Sequence, residues 1–229
     1  MIAYLDSDLF FYSSPDPIYQ EFGQNSIMII PHRFPPHKFQ RQAEKNGIYN
    51  VGMLIFRNDE NGRACLDWWR QQCLNWCYRI PEPGKFGDQK YLEQFPILFK
   101  NVHILQHKGA NLAPWNIKNY SISHCGDQTF VDNDILIFYH FFSDFKIYPP
   151  SSYLPPIPPS HYNKKSIAKT YIYLPYIKIM NESLKKIQKL HPGFRYGMIS
   201  RWTLFEYWVK KILYFIKRLI KKLTTLRHA

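Results

Sequence analysis

The chain opens with an apolar, strand-like run that two carboxylates interrupt, Met1-Ile-Ala-Tyr-Leu-Asp-Ser-Asp-Leu-Phe-Phe-Tyr12. Side chains two residues apart in a strand point to the same side, so the carboxylates of Asp6 and Asp8 would face one spot. Burying two acids in so apolar a stretch is costly unless a cation or hydrogen bonds neutralise them. Paired carboxylate oxygens suit a hard divalent ion such as Mg²⁺ or Mn²⁺. The same residues also fit an Asp-Ser-Asp turn after a strand, and the tripeptide alone leaves both interpretations open.

Positive charge is distributed unevenly along the chain. Its 229 residues carry a formal net charge of +13. Residues 201–229 contain eight Lys or Arg and one Glu, so this tail carries +7 and the first 200 residues carry only +6. The charge that would attract a partner therefore lies in the tail, and the rest of the chain is only mildly basic.

Compartment can be read from the apolar runs and the cysteines. Asp6 and Asp8 break the only early apolar run, which argues against a signal peptide, and no uninterrupted apolar stretch is long enough to span a bilayer. The four cysteines lack zinc-site spacing and fit buried thiols in a reducing compartment. The sequence thus predicts a cytoplasmic protein.

Strand-like and helix-like patterns alternate along the first two thirds of the chain, which is typical of an α/β body. Apolar runs bounded by turn residues predict strands at 26–30, 49–56, 102–106 and 134–142. Apolar residues at helical spacing predict a helix over 61–78, and a shorter helix is expected to follow Gly87. Residues 31–47, rich in His, Pro and basic residues, are interpreted as a long loop.

Three regions are predicted from these patterns. Residues 1–148 form the α/β body, and the proline-rich residues 149–165 form a linker. Residues 166–229 form a helical extension, helical over 167–190 and again from about Trp202 to Leu226.

The last predicted helix is apolar on one side and basic on the other. Its basic residues recur in pairs at Lys210, Lys211, Lys217, Arg218, Lys221 and Lys222. A basic amphipathic helix with aromatic residues has the composition of an interfacial membrane anchor. The alternative is a helix that packs on the body and exposes its basic side to solvent.

Five motifs follow one another in an order that resembles a known group of enzymes. They are Asp-x-Asp on a strand, Asn-x-Gly in Tyr49-Asn-Val-Gly52, Gly87-Asp-Gln before a helix, Pro114-Trp-Asn116 in a loop, and an apolar strand ending near His140. This order resembles the catalytic half of GT-A-fold glycosyltransferases, particularly the bacterial sugar-nucleotide transferases related to glycosyltransferase family eight. The resemblance covers residues 1 to about 148. It implies an α/β fold with a partial GT-A mixed sheet and flanking helices, followed here by the C-terminal helical extension.

The resemblance implies a metal centre. In such enzymes the Asp-x-Asp pair, here Asp6 and Asp8, holds Mn²⁺ or Mg²⁺ on the diphosphate of a nucleotide sugar, usually a UDP-sugar. A His at the end of a late strand completes the coordination, which corresponds to His140, with His107 as the rival. The family continues after this His with Gly and Lys-Pro-Trp, whereas this chain has Ser143-Asp-Phe-Lys146, so the match is imperfect.

Residues for the sugar donor and acceptor follow from the same resemblance. The implied substrate-binding residues are Asn50, Gly52, Trp115 and Asn116, and the implied catalytic pair is Asp88 and Gln89. Since an amide is a poor nucleophile, we expect Gln89 to position the sugar and not to form a covalent intermediate. Structural alternatives exist for three of these residues: close backbone packing at Gly52, a helix N-cap at Asp88 and core packing at Trp115.

One departure bears on activity. GT-A domains normally begin with βαβ units that bind the base and the ribose, whereas this chain starts at the metal-binding strand. We expect either a fragment or a separate chain that completes the sheet, because a sheet without its leading strands would expose an apolar edge.

Three functions compete on this basis. The first is a metal-dependent glycosyltransferase, peripheral to the inner face of the membrane, that transfers a sugar from a nucleotide sugar to a cell-surface glycan or glycolipid. The second is a catalytically inactive fragment or accessory subunit that binds membranes. Nucleic-acid binding is disfavoured, because the basic residues share one terminal helix with large apolar residues and form no known reader motif.

Overall fold

The structure is a computed structural model that describes residues 1–141 and 167–195 and, between 200 and 209, residues 200, 202, 203, 205, 206, 208 and 209. The chain divides into two compact units. The first comprises Met1–Phe142 and Pro159–Lys178, and the second comprises Ser143–Pro158 and Ile179–Ala229. The predicted linker at 149–165 and the six basic residues from Lys210 to Lys222 lie outside the described residues.

A mixed four-stranded sheet forms the centre of the first unit. Its strands are β1 (Ile2–Leu5), β3 (Ile27–Pro31), β4 (Tyr49–Phe56) and β5 (Val102–Ile104), in the order β1-β4-β3-β5. β4 runs antiparallel to both β1 and β3, and β3 runs parallel to β5. The mixed α/β architecture expected from the sequence is therefore present.

Both faces of this sheet are covered. On one face, Ile27 and Ile29 pack in a cluster with Trp69, Leu92 and Phe95. On the other face, the alternate residues Met28 and Ile30 pack with Ile18, Phe22 and Phe138. Side chains that alternate between two buried faces explain why β3 and β4 read as continuous apolar runs in the sequence.

Three helices of the first unit contribute side chains to these clusters, namely α1 (Asp16–Phe22), α3 (Glu60–Asn75) and α4 (Phe95–Leu98). A further helix, α2 (Phe39–Asn46), has no buried residue. α3 begins after Asp59, whose carboxylate accepts a hydrogen bond from the Gly62 amide at 2.8 Å, a favourable N-cap. α3 ends three residues before the predicted limit, because Trp76 adopts an extended backbone.

The prediction of a loop over 31–47 was wrong. This stretch contains a 3₁₀ turn at Pro36–Lys38 and the helix α2. α2 has only two apolar residues, Phe39 and Ala43, and no buried residue, so it offers too few apolar positions for a helix to be predicted from the sequence. Bonds between side chains four residues apart support it, from Gln40 to Glu44 and from Asn46 to Gln42.

The predicted strand at 134–142 is divided into two pieces with different partners. β6 (Ile122–Cys125), β7 (Gln128–Val131) and β8 (Asp134–Ile135) form a small antiparallel sheet. β9 (Phe138–His140) instead pairs with β2 (Leu9–Phe11). The division falls at Ile137, whose amide donates to the Gly109 carbonyl at 2.8 Å and so leaves the small sheet. His140 does lie at the end of a strand, as predicted.

β1 forms one edge of the central sheet. All four of its residues are exposed, including Ile2 at 57% and Leu5 at 46%. Such an apolar edge, which the sequence predicted, has none of the charges or prolines that usually protect an edge strand.

The predicted helix over 167–190 is confirmed. A π-helical turn at Lys169–Tyr173 leads without a break into α5 (Leu174–Leu190), and Pro175, which has no amide hydrogen to donate within the helix, follows directly after this wider turn. None of the helices within the described residues is long and apolar enough to cross a membrane.

The expectation of buried thiols was only partly right. Within the described residues all four cysteines are free, and Cys65 is buried while Cys77 and Cys125 are exposed.

Gly109 fixes the junction between the small sheet and β9, and this yields a prediction for stability. A Cβ at Gly109 would lie 1.8 Å from the carbonyl oxygen of Ile135, which is a backbone atom that cannot move aside. We expect Gly109→Ala to lower the free energy of unfolding by roughly 2 to 4 kcal/mol, measured by urea denaturation. Gly193→Ala adds the same methyl group to open space and is the control. Equal stability of the two variants would contradict this packing.

Candidate metal centre

Three side chains that could bind a metal ion converge at the end of β9. The Nε2 atom of His140 lies 3.1 Å from Oδ1 of Asp8 and 3.7 Å from Oδ2 of Asp6. One ligand atom from each residue lies within 4.8 Å of the others, and this is the one such group of three or more His, Cys, Asp or Glu among the described residues. Neighbouring ligands of an octahedral Mg²⁺ lie about 3 Å apart, so the arrangement fits a small divalent ion.

A change of strand partner creates this convergence. β1 pairs with β4, and the ladder ends where the Asp6 amide donates to the Gly52 carbonyl at 2.9 Å. After the turn at Ser7, β2 pairs with β9, and the Phe141 amide donates to the carbonyl of Asp8 at 2.9 Å. The turn and the carboxylate pair, which the sequence offered as alternatives, occur together.

The other ring nitrogen of His140 contacts two amide oxygens. Its Nδ1 atom lies 3.2 Å from Oδ1 of Asn50 and 3.2 Å from Oδ1 of Asn111. The Asn50 amide is oriented by two further bonds, since its Oδ1 accepts from the Gly52 amide and its Nδ2 donates to Gln89. Two acceptors at Nδ1 fit a hydrogen there, so Nε2 is the nitrogen that would bind a metal ion, in place of the hydrogen that it donates to Asp8.

Gly52 provides the space for the imidazole. A Cβ at this position would lie 2.8 Å from Nδ1 of His140 and 2.7 Å from Oδ1 of Asn50. The register between β3 and β4 shifts between Met28 and Ile30, so a bulge occurs in the part of the sheet that carries Gly52. The close packing that the sequence offered as an alternative role for Gly52 is therefore present. The side chain packed against Gly52 is that of His140, the proposed metal ligand.

The two carboxylates titrate differently. Burial raises the pKa of Asp6, and the nearby Asp8 raises it further, against the opposing effects of Tyr4 and His140. A hydrogen bond from His140 is the main reason that the pKa of Asp8 is lowered. Tyr4 Oη donates to Oδ1 of Asp6 at 2.9 Å and leaves Oδ2 facing His140. Tyr4 is a site residue that the sequence reasoning missed, although its position two residues before Asp6 on the same strand face could have indicated it.

Asp88 and Gln89 border this group, and their side chains have different surroundings. Burial raises the pKa of the half-buried Asp88 carboxyl, and the negative charge of Asp6 adds to the rise. Gln89 is engaged within the protein: Oε1 accepts from Asn50 and the Val51 amide, and Nε2 donates to the carbonyl of Asn46. The N-cap alternative for Asp88 was wrong, because the following 3₁₀ helix (Lys90–Gln94) has Gln89 at its N-cap and no side-chain cap.

The loop from His107 to Asn116 borders the candidate metal site on the side of His140. The ring of the half-buried Trp115 stands edge-on to His140 at 5.2 Å between centroids, and its Nε1 donates to the carbonyl of His32. Asn116 is fully buried and bonded to the Ala113 amide and to the carbonyls of His32 and Asn111. Asn116 therefore shapes the loop from inside and offers no exposed contact.

His107 lies at the start of this loop and is not a member of the group that Asp6, Asp8 and His140 form. Its amide donates to Oε2 of Glu21 at 3.0 Å, and its carbonyl accepts from the half-buried Arg33, which also bonds the carbonyls of Leu105 and Ala110. Of the two rival histidines, the structure places His140 with Asp6 and Asp8.

Two buried polar residues behind the site were missed at the sequence level. Asn111 is fully buried with φ of +63°, and His32 is 5% exposed and stacks on Phe34. Both lie in loops beside proline and aromatic residues, and the sequence offers no signal that distinguishes them from ordinary loop residues. Asn111 faces His140, and the Nε2 atom of His32 lies 3.5 Å from Nδ2 of Asn50.

Comparison with known proteins gives two relatives from Bacillus subtilis (strain 168). YfnD is 32% identical over 208 residues, which cover 87% of this chain and 63% of YfnD. YfnF is 36% identical over 146 residues, which cover 61% of this chain and 48% of YfnF. Both are described as uncharacterized proteins, and the chain spans less than two thirds of the length of each. No protein-family model matches the chain, and no solved structure matches it.

Substitution of Gly52 tests how the histidine is held. Gly52→Ala places a methyl group against Nδ1 of His140, so the ring must move away from Asp6 and Asp8. We expect Mn²⁺ to bind about 10-fold to 100-fold more weakly, the range found when a partner that orients a metal ligand is lost. The measurement is the free Mn²⁺ signal in electron paramagnetic resonance, with Gly193→Ala as the control. Wild-type affinity in a folded Gly52→Ala variant would contradict this role.

Burial of His32 predicts a pH dependence of stability. Burial lowers the pKa of His32 to about 3, whereas an unfolded chain would have about 6.5. Below pH 6.5 the unfolded state therefore binds a proton that the folded state excludes. The free energy of unfolding should fall by up to about 1.4 kcal/mol for each pH unit between 6.5 and 3.

Denaturation of His32→Gln at several pH values measures this contribution. The variant should lose that part of the slope below pH 6.5, while His37→Gln, at an exposed histidine, should keep it. Identical slopes in the wild type and His32→Gln would show that His32 is protonated in the folded protein.

Proposed function

We propose that the chain is the metal-binding and acceptor half of a metal-dependent glycosyltransferase that transfers a sugar from a nucleotide sugar, expected to be a UDP-sugar, to a cell-surface glycan or glycolipid. The single observation that carries the proposal is the convergence of Asp6, Asp8 and His140, which come from β9 and from the turn between β1 and β2. The order of motifs in the sequence, which resembles that of GT-A-fold enzymes, supports the same reading.

The ligand set suits Mn²⁺ or Mg²⁺. Two carboxylate oxygens and one imidazole nitrogen would hold the ion, and Asn50 and Asn111 would fix the ring that carries the nitrogen. A divalent ion bound there would neutralise the negative charge that develops on a departing nucleoside diphosphate. The side-chain exposures of 23% for Asp6 and 38% for Asp8 leave room for phosphate oxygens from solvent.

Three residues near the proposed metal ligands are assigned different roles. Asp88 has a half-buried carboxyl whose pKa the charge of Asp6 helps to raise, and it is the candidate to accept hydrogen bonds from sugar hydroxyls. Gln89 holds Asn50 and the strand backbone, which makes it a positioning residue. The half-exposed ring of Trp115 beside His140 offers an apolar face on which a sugar can pack.

This chain spans 63% and 48% of the lengths of its two relatives. Sugar transfer is therefore proposed for the whole protein. The described residues include the three proposed metal ligands, so this chain can be tested for binding of a nucleoside diphosphate. The competing function, an inactive accessory chain, predicts that no such binding occurs.

Calorimetric titration with UDP tests the proposal. UDP should bind the chain when Mn²⁺ is present and at least 10-fold more weakly without it, because the diphosphate would share the ion with Asp6 and Asp8. The double variant Asp6→Asn, Asp8→Asn should lose the metal-dependent part. Asp127→Asn removes the same charge from the exposed turn between β6 and β7 and should bind normally.

Two results would count against the function. Equal UDP affinity with and without Mn²⁺, or in the double variant, would separate nucleotide binding from the three ligands. Mn²⁺ binding without any UDP binding would support the accessory chain over the enzyme.

A further inference from the structure

The two carboxylate oxygens of Asp6 have different neighbours. Oδ1 accepts a hydrogen bond from Oη of Tyr4 at 2.9 Å, and Oδ2 lies 3.7 Å from Nε2 of His140. The Asp6 amide continues the ladder between β1 and β4 by donating to the Gly52 carbonyl, so Tyr4 and Asp6 point to the same side of the strand. Of the two oxygens of Asp6, Oδ2 is therefore the one that the fold places beside another proposed metal ligand.

The ring of Tyr4 is supported by a buried tryptophan. It stands edge-on to Trp69 of α3, with the ring centroids 5.5 Å apart and the ring planes at 90°. Trp69 is 7% exposed and packs in the cluster that contains Leu54 and Phe56 of β4. The indole is also fixed at its nitrogen, since Nε1 donates to the carbonyl of Asp88 at 2.8 Å. A ring held against such a neighbour keeps the Tyr4 hydroxyl in place on Asp6.

The number of oxygens that a carboxylate can offer affects which divalent ion it binds. Ca²⁺ takes about six to eight oxygen ligands and readily accepts both oxygens of one carboxylate. Mg²⁺ is smaller and requires an octahedral arrangement, in which each carboxylate usually gives one oxygen. A hydroxyl that occupies one oxygen of a carboxylate ligand therefore disfavours Ca²⁺ more than it disfavours the smaller ions.

We propose that Tyr4 limits Asp6 to one metal-binding oxygen and thereby makes the site select Mn²⁺ or Mg²⁺ over Ca²⁺. The inference rests on the metal centre of the proposed function and adds to it a residue that determines specificity. Tyr4 acts through Asp6, which makes it a positioning residue. If the hydroxyl had only a structural role, its removal would weaken the binding of every ion alike, whereas a role in selection changes the ratio of two affinities.

Tyr4→Phe in the full chain tests the proposal, because it removes the hydroxyl and keeps a ring against Trp69. The free Mn²⁺ signal in electron paramagnetic resonance gives the Mn²⁺ affinity, and displacement of Mn²⁺ by added Ca²⁺ gives the Ca²⁺ affinity. We expect Mn²⁺ to bind about 10-fold more weakly, since a partner that orients a ligand is lost. Ca²⁺ should bind at least as tightly as before, because Asp6 can then offer both oxygens. The ratio of the two affinities should thus shift about 10-fold or more towards Ca²⁺.

The matched control is Tyr78→Phe. Tyr78 is 62% exposed, and loss of its hydroxyl should leave both affinities unchanged. The nitrogen of His140 also favours Mn²⁺ over Ca²⁺, but it is present in the wild type and in both variants. A change in the ratio therefore reports the hydroxyl of Tyr4. Circular dichroism establishes that each variant is folded before its affinities are compared.

Two outcomes would overturn the proposal. Weakening of Mn²⁺ and Ca²⁺ binding by the same factor in Tyr4→Phe would leave the hydroxyl with a structural role only. Wild-type affinities for both ions would show that the hydroxyl does not restrict Asp6. The experiment uses the metal ions alone, so its result is separate from that of the UDP titration. An unchanged ratio together with metal-dependent UDP binding would overturn this inference and leave the glycosyltransferase proposal standing, and a shifted ratio without UDP binding would do the reverse.

Discussion

The imidazole of His140 is held through one nitrogen so that the other can face two carboxylates. Its Nδ1 contacts the amide oxygens of Asn50 and Asn111, and the absent side chain of Gly52 makes room for the ring. This contact joins three separate pieces of chain: β4, the loop of Asn111, and β9. These amide oxygens also favour a hydrogen on Nδ1 of His140. The buried residues therefore direct Nε2 towards the exposed side of the site, where a metal ion can bind.

The sheet makes this contact possible at an energetic cost. Asn50, Asn111 and His140 are polar groups at 4%, 0% and 3% exposure, and each would be destabilising without its hydrogen bonds. Apolar clusters on both faces of β3 and β4 hold the frame in which those bonds form. The turn at Asp6 to Asp8 then transfers the chain from β4 to β9, so the partner change that brings His140 to the carboxylates is built into the topology.

The sequence predicted those elements and residues that either repeat a regular pattern or interrupt one. Apolar runs located β3 and β4, helical spacing located α3, and the ordered motifs selected Asp6, Asp8 and His140, which the structure brings together. It did not predict α2, whose side chains are all partly or fully exposed, or the division of β8 from β9, which depends on a carbonyl of the distant Gly109. Asn111 and His32 were missed for the same reason: their roles come from contacts with residues far away in the sequence, and local composition carries no trace of such contacts.

Asp6, Asp8 and His140 are proposed to bind one divalent ion, and crystals of the chain grown with Mn²⁺ and measured near the manganese absorption edge would show whether they do. We expect one strong anomalous peak about 2.1 Å from Nε2 of His140 and at a similar distance from a carboxylate oxygen of each aspartate. An ordered site without such a peak at saturating Mn²⁺, or a peak held by other residues, would contradict it.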